Sequence, residues 1–443
     1  MLSRLRQGSA TGLEAALLLL AVFIGGALRL AWPGDIEYKM DEAWTFDMVR
    51  TARETGKIPP LGMPSSRKVL NPGMSVWVFV ALDRVCPAAT PVDLVRGVQV
   101  CNAIALLLLA GFVWWCIPAG QREVWIWAVF LAAVNPVDVR FQRKIWPPSL
   151  FPIPLVIMWI GWWYRDRRAG AFIWGLIGAL IGQVHMPGFI MSAGIVGWML
   201  WKDRASVRWR WWLAGSAVGV LPMLNWLSYM TSAKEKTPAD TFVWDNLLSM
   251  KFYTHWITQP LGIGFKHALG DGVMDFLGQP FWDGKPTYLL FALQGVMVAA
   301  GLTILLLCVQ RWRRREPVES TPTRTLTNAV VWGYGLLLTI SFLPFFRHYL
   351  MVCFPIMAIW LAYHAVGYGS ESSRRIGRIC LAALVAGQLI LTASFMEYVH
   401  RLEGGGHRTA DYRDTYDSPR NIHRLEQRLP TTQQVRDAAG KAN

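Results

Sequence analysis

The chain has 443 residues, of which 53% are hydrophobic and only 16% charged, and it carries 24 Trp. A soluble globular protein has about a quarter of its residues charged, so that class is excluded. The formal net charge of +15 invites a nucleic-acid reading, but the arginines lie mostly in short connections between apolar runs, where the positive-inside rule puts them, and no nucleic-acid partner is expected.

The apolar runs have the roughly 20-residue length that a bilayer demands, and in hydrocarbon only a helix satisfies its own backbone. We therefore expect an all-α, polytopic transmembrane bundle of about 11 spans, with extracytoplasmic loops and interfacial helices. Arg4 and Arg6 place the N-terminus in the cytoplasm, and span one runs from about Leu13 to Trp32. It lacks a clear small-x-small cleavage site and reads as a retained anchor. Outer loop 33–92 follows. It contains Tyr38-Lys39-Met40-Asp41-Glu42-Ala43-Trp44, the breakers Pro59-Pro60 and Asn71-Pro72-Gly73, and an apolar segment from Met74 to Leu82. That segment is too short to span and reads as an interfacial or re-entrant helix.

Span two covers about Val95 to Ile117 and span three about Val124 to Val137. The latter opens onto Asp138-Val139-Arg140-Phe141-Gln142-Arg143-Lys144-Ile145-Trp146-Pro147-Pro148. Span four, about Leu150 to Tyr164, ends in the inner cluster Arg165 to Arg168, and span five, about Ala171 to Val184, reaches His185 outside. Span six returns by Trp201. Span seven, about Trp211 to Tyr229, leads to outer loop 231–286, rich in aromatics (Phe242, Trp244, Phe252, Tyr253, Trp256, Phe265, Phe276, Phe281, Trp282). These read mostly as packing and interface belt, and Asp240, Asp245, Asp271 and Asp283 as solvated. Span eight, about Tyr288 to Val309, ends at Arg311, Arg313, Arg314 and Arg315. Spans nine (about Ala329 to Phe346), ten (about Tyr349 to Val366) and eleven (about Leu381 to Tyr398) complete a bundle of 1–398, with the tail 399–443 extracytoplasmic. No internal repeat and no Gly/Pro-broken pair of spans is visible. The six cysteines show no metal or disulfide spacing.

On this topology the polar clusters face one side: Asp41 with Glu42, the triplet Arg140, Arg143 and Lys144, His185, loop 231–286, and Arg347 with His348. Ionisable groups at membrane depth are expensive and usually functional. The triplet stands on the wrong side for the positive-inside rule, which suits a phosphate or pyrophosphate, against snorkelling to headgroups. Arg347 and His348 repeat the theme or anchor the interface. His185 ends an apolar helix and reads as a structural hydrogen-bonding residue or a substrate contact. Asp41 and Glu42 could instead cap a surface helix. Acids and cations together suggest group transfer: a carboxylate takes a proton from an acceptor hydroxyl, and cations stabilise a departing phosphate.

The pattern resembles the GT-C superfamily of membrane glycosyltransferases, which includes protein O-mannosyltransferases and the aminoarabinose transferases of lipid A. Asp41-Glu42 is similar to the family's acidic motif after span one. Asn71-Pro72-Gly73-Met74 is similar to its His-Pro-Pro-Leu element, with Asn71 where the family has His. Asn135-Pro136 followed by Arg140 to Lys144 is similar to its Pro…Arg stretch, with Trp146-Pro147-Pro148 where many relatives carry an acid. Arg347-His348-Tyr349-Leu350 followed by Pro355 is similar to its His-Tyr-Leu…Pro segment. Gly404-Gly405-Gly406 and Asp411-Tyr412 are vaguely like a family tail, and the large soluble domain of some relatives is missing. The resemblance spans about residues 10 to 400. It implies an inverting glycosyltransferase of the bacterial inner membrane, moving a sugar from a polyprenyl-phosphate donor to a lipid, glycan or protein acceptor on the periplasmic side. Membrane lipids are its other partners. Asp41 would be the catalytic base with Glu42 beside it, Arg140, Arg143, Lys144, Arg347 and His348 would hold the donor phosphate, and His185 and Tyr349 would touch substrate. The Asp-Glu pair is compatible with a divalent cation, but no further ligand cluster supports one. The alternatives are a flippase for a lipid-linked sugar, or a ligase or polymerase using a pyrophosphate-linked glycan.

Overall fold

The computed structural model describes residues 2–64, 69–232, 244–316, 319–341, 344–401 and 416. Asp240, Phe242 and the tail motifs Gly404-Gly405-Gly406 and Asp411-Tyr412 lie outside these residues, as does the side chain of Asp245. The protein is almost entirely helical. Helix α1, Leu2–Leu30, is the first apolar span, and it stops where Trp32 takes a left-handed backbone (φ 44°). Helix α2, Met40–Thr55, begins with Asp41 and Glu42 in its first turn, where acids complement the exposed N–H groups, and it ends on Gly56 at φ 69°. The backbone N–H of Lys39 donates to the Glu42 carboxylate at 3.1 Å. A short hairpin, β1 Leu61–Pro64 with β2 Leu70–Pro72, leads into α3, Met74–Val85. This is the short apolar helix expected from the sequence, and it packs on α2.

Helix α4, Pro91–Cys116, starts with a reciprocal cap: Asp93 N–H donates to the Thr90 hydroxyl at 3.3 Å and Thr90 N–H donates to the Asp93 carboxylate at 2.9 Å. Helix α5, Arg122–Val134, ends at Asn135. The Asn135 side chain then accepts from Val137 N–H (2.9 Å) and Asp138 N–H (3.2 Å), and Pro136 opens the short α6, Pro136–Phe141. The Asn-Pro pair therefore stops one helix and restarts another in a new direction. Helices α7 (Pro152–Trp163), α8 (Arg168–Val184), α9 (Pro187–Lys202), α10 (Trp209–Val220) and α11 (Leu224–Ser232) follow.

The segment expected as a polar outer loop carries α12 (Trp244–Ser249), α13 (Lys251–Thr258), α14 (Lys266–Leu269), α15 (Val273–Gly278) and a hairpin of β3 Phe281–Trp282 with β4 Lys285–Pro286. Its aromatics Phe252, Trp256, Phe265 and Phe276 are buried in the main core, so much of the segment packs into the bundle. Asp271 and Asp283 are exposed as expected. Helix α16, Leu289–Arg313, precedes α17 (Pro322–Asn328), a π-helical stretch at Ala329–Tyr334, and α18 (Gly335–Thr339). A 3₁₀ turn at Arg347–Cys353 then bends by 74° into α19, Ile356–Val366, and α20, Glu371–Arg401, completes the described bundle.

Among the described residues four helices are long and apolar enough to cross a membrane, within α1, α4, α16 and α20, and a fifth if the bent pair ending in α19 is one span. This falls short of the expected count of about 11. The remaining apolar segments form shorter helices because prolines and glycines interrupt them: α7 begins at Pro152, α9 at Pro187, and Pro222 separates α10 from α11. The solvation pattern is that of a protein in lipid. Phe23 is 75% exposed and Leu19, Leu213, Leu302 and Leu306 also point outward, whereas Arg29, Gln99, Asn102, Gln183 and Gln388 are buried.

Two apolar clusters divide the interior. The larger fills the bundle, and the smaller is a cap formed by Ile36, Tyr38, Phe46, Val49, Val76, Phe79, Val80, Val98 and neighbours. Ile145, from the segment after α6, is fully buried in that cap. The residue before it is Lys144, so the cap fixes where the lysine sits.

Candidate active site

The site is assembled around Lys144. This side chain is only 7% exposed, and its ammonium donates to Glu37 Oε2 at 2.9 Å and lies 3.2 Å from Glu42 Oε1. It also stands 4.6 Å from the centre of the Trp146 ring. Glu37 is contacted from the other side by Lys39 at 3.3 Å. An unpaired charge at this depth would cost several kcal/mol, so the lysine and its carboxylates must be placed together. Three pieces of local structure do this: the first turn of α2 presents Glu42, the buried residues Ile36 and Tyr38 lock Glu37 between them, and Ile145 anchors Lys144.

The three acids of this corner have different environments. Lys144 and then Lys39 hold Glu37 below the usual carboxylate range despite its burial. Burial pushes Glu42, only 2% exposed, up to about 7, with Lys144 pulling the other way. Asp41 lies on the solvent side of the helix turn, and no hydrogen bond engages its carboxylate among the described residues. Crowding by protein and the nearby Glu37 raise it above its ordinary 3.8, against the pull of Lys144. The adjacent acids of the sequence thus separate into an inward carboxylate bound to a lysine and an outward one able to meet a substrate.

A ring cluster adjoins the lysine. His348 lies 4.9 Å from Trp146, 5.4 Å from His185 and 4.9 Å from Tyr349. Burial, reinforced by Lys144, lowers His348 to about 3, and burial keeps His185 well below the ordinary histidine value. Both imidazoles are therefore neutral at neutral pH, able to accept or donate one hydrogen bond each. The Nε2 atom of His185 is buried without a partner among the described residues.

The remaining basic residues fall into two groups. Arg143, expected to hold donor phosphate, directs its guanidinium at the end of α1 instead, donating to the carbonyls of Leu28 (2.8 Å), Arg29 (3.3 Å) and Trp32 (3.0 Å). Its task there is to satisfy helix-end acceptors, as cations near a C-terminus do. Arg347 donates to Gln259 Oε1 (2.9 Å) and to the carbonyls of Ile263 (2.6 Å) and Gly264 (3.2 Å). Arg140 lies against the Phe141 ring at 4.4 Å. The fields of Arg140 and Arg347 overlap, because burial and then Arg140 lower Arg347 to about 10.

The structure therefore brings together Asp41, Glu42, Lys144, His348, His185 and Tyr349, with Arg140 and Arg347 on the flank, and takes Arg143 away. It adds three residues that the sequence reading did not single out. Glu37 is signalled by a carboxylate between Ile36 and Tyr38, four residues before Asp41. Trp146 is the face on which Lys144 rests. Asp138 sits within the fields of Arg29 and Arg347, and burial pushes it up to about 6. Among the described residues no three of His, Cys, Asp and Glu converge as metal ligands.

An open apolar groove of about 880 Å³ runs between α9 and the π-helical stretch, lined by Gly194, Gly197, Trp198, Tyr253, Trp332 and neighbours. Gly194 makes the approach possible, since a Cβ there would come within 2.5 Å of the Gly333 backbone. The groove shares no lining residue with the acid corner. A run of rings, Tyr253, Phe252, Phe345 and Tyr349, with centres 5.1, 6.3 and 6.2 Å apart, connects the two.

No family model, no curated protein and no solved structure matches this chain.

Proposed function

We propose that this protein is a multi-pass membrane glycosyltransferase that moves a sugar from a polyprenyl-phosphate donor to an acceptor hydroxyl, with inversion at the anomeric carbon. The observation that carries the reading is the division of labour at the start of α2: Glu42 is committed to Lys144, and Asp41 is left outward with no hydrogen bond to its carboxylate among the described residues. In the proposed step Asp41 takes the hydroxyl proton as the acceptor oxygen attacks the anomeric carbon. The C–O bond to the phosphate breaks, and the phosphate leaves with the electron pair. Arg140, Lys144 and Arg347 stabilise that charge electrostatically, and neutral His348 can donate to a phosphate oxygen. The apolar groove between α9 and Trp332 suits a flexible isoprenoid chain, which needs apolar walls and no directional contacts. The expected bacterial inner membrane, the outward orientation of the acid corner and the count of about 11 spans belong to this proposal. So does the choice of acceptor among lipid, glycan and protein.

The test uses purified protein in lipid nanodiscs, offered polyprenyl-phosphate sugars one at a time. Release of free polyprenyl phosphate is followed by mass spectrometry for wild type and Asp41→Asn. Release by wild type alone supports the donor class and the base together. Equal release by a folded Asp41→Asn protein removes Asp41 from the role. Release only from pyrophosphate-linked glycans points to a ligase or polymerase. Movement of the donor across sealed vesicles without release points to a flippase.

A further inference from the structure

A second polar site lies at the far end of the bundle. Helix α20 carries Ser373, which touches Arg311, near its start and His400 near its end, where the His400 ring stacks at 4.6 Å on Trp32, whose carbonyl accepts from Arg143, the residue before Lys144. A straight helix of that length covers about 40 Å, so the two ends are opposite rims. There the C-terminus of α16 borders a cavity of about 540 Å³ lined by Arg311, Trp312, Arg313, Arg315, Glu316 and Tyr368.

Arg311 is the fixed part of this site. It is 2% exposed, donates to the carbonyls of His364 (2.5 Å) and Ala365 (3.2 Å) and to the Ser373 hydroxyl (3.0 Å), and lies 4.7 Å from the Tyr368 ring centre. Its Nε–H is buried beside Gly369 with no acceptor among the described residues, and Glu316 Oε2, in the same lining, is likewise buried without a donor among them. Arg313 and Arg315 are exposed, and neither pairs with a carboxylate among the described residues. Glu316 is the one acid in the lining, set against three arginines.

The backbone is also set for these arginines. The Glu316 N–H donates to the Arg311 carbonyl at 3.1 Å and the Arg315 N–H to the Trp312 carbonyl at 3.0 Å, so the helix ends in a Schellman motif. The left-handed residue of that motif is usually glycine, because a Cβ is disfavoured there. Here it is Arg315, at φ 52°. A simple excess of positive charge at a membrane rim does not require an arginine at the one position where glycine folds best. Trp312, 79% exposed at the end of an apolar helix long enough to cross a membrane, places the cavity at a lipid–water boundary.

We propose that this cavity binds the phosphate headgroup of an anionic membrane phospholipid. Arg311 provides a fixed positive charge at the floor of the cavity, Arg313 and Arg315 close on the phosphate from the solvent side, and Trp312 lies along the acyl chains. The site is independent of the proposed glycosyl transfer.

Full-length protein extracted from a membrane of mixed zwitterionic and anionic phospholipids is analysed by native mass spectrometry for retained lipid. Wild type, Arg313→Gln/Arg315→Gln and Arg315→Gly are compared, each with its melting temperature. We expect wild type to retain anionic phospholipid selectively and the double variant to retain it roughly 30-fold more weakly, the ordinary worth of two arginines near an anionic surface. Arg315→Gly should weaken retention about 5-fold while melting at or above the wild-type temperature, because it removes both one charge and the left-handed strain. Equal retention by wild type and double variant overturns the proposal, as does retention without preference for anionic headgroups. Displacement of the lipid by millimolar inorganic phosphate also overturns it, by showing a site for soluble phosphate.

Discussion

The ammonium of Lys144 lies 2.9 Å from a carboxylate oxygen of Glu37, a residue 107 positions earlier in the chain. With Glu42 at 3.2 Å the lysine has two carboxylates and cannot neutralise both. Glu37 takes the closer contact and keeps its charge, and Glu42 is pushed towards its protonated form. Asp41, one residue away, then works beside a neighbour whose charge depends on pH.

The role of Asp41 leads to a prediction about rate. Asp41→Asn should lower turnover by about 10²–10⁴-fold, the usual worth of a general base, without changing the melting temperature. In wild type, kcat/KM should rise with pH through the Asp41 value, which lies above 3.8 because crowding outweighs the pull of Lys144. A flat acidic limb down to pH 4 would remove Asp41 from proton transfer.

Glu42 leads to a prediction about stability. Its folded value is about 7 against an ordinary 4.5, so the folded protein binds this proton more tightly than the unfolded chain. The Glu42 contribution is therefore neutral at low pH and becomes destabilising as pH rises between those values. Glu37 is shifted the other way, and its contribution is lost as pH falls below the ordinary carboxylate range. Glu42→Gln should raise the melting temperature in detergent at pH 8 and leave it unchanged near pH 4. A uniform drop at both pH values would show that the ion contact matters more than the burial cost.

Lys144→Met removes the cation that lowers all three acids. The acidic limb of the activity profile should move to higher pH, and Lys144→Arg should restore part of the shift. If the methionine variant is active with an unmoved limb, the lysine does not set the protonation of the corner.

Arg143 and Arg140 should behave differently although they are three residues apart. Arg143→Ala strips donors from the Leu28 and Arg29 carbonyls at the end of α1, while the Trp32 carbonyl keeps the Asp35 N–H, and should cost about 1–3 kcal/mol of stability for each acceptor left dry. Arg140→Gln should lower turnover through weaker stabilisation of the leaving phosphate. Comparison of melting and steady-state kinetics for the two variants checks this directly.

Gly197 offers a test of the apolar groove. It lines the cavity, and a Cβ there meets nothing within 4 Å. Gly197→Phe should therefore fold, with improved helix propensity, while filling the space. The expected result is a raised KM for long-chain polyprenyl donors with little change for short-chain analogues. An unchanged KM for both would place the prenyl chain elsewhere.

The membrane character of the chain and the acid motif were legible because both are local: long apolar runs, and Asp41 beside Glu42. Span three reads to about Val137 in the sequence, whereas the helix stops at Val134, because Asn135 and Pro136 cap and restart it. What could not be read was direction. Arg140, Arg143 and Lys144 form one basic patch in sequence, yet one lies on a phenyl ring, one caps a distant helix and one is buried between carboxylates. A short helix followed by a 3₁₀-like segment turns successive side chains to different sides, and charge counting does not register that rotation. Glu37 was passed over for a similar reason, because its partner is far away in the chain. In loop 231–286 the aromatics read as packing, and Phe252, Trp256, Phe265 and Phe276 are core residues; the short helices that carry them inward were not legible from composition.

Ile145 has a consequence for how this corner responds to change. It is fully buried against Phe79, Val98 and their neighbours, and it is bonded to the residue that holds Glu37 and Glu42. The fit of a hydrocarbon side chain in its socket and the proton affinity of two acids are therefore one coupled quantity. Trimming Ile145 to Val or Ala would let Lys144 drift, and the loosened packing would be read not only as lost stability but as a change in the pH at which the acids ionise. Anything that presses on the cap from outside, a lipid or a partner, has the same lever on the charge state beneath it.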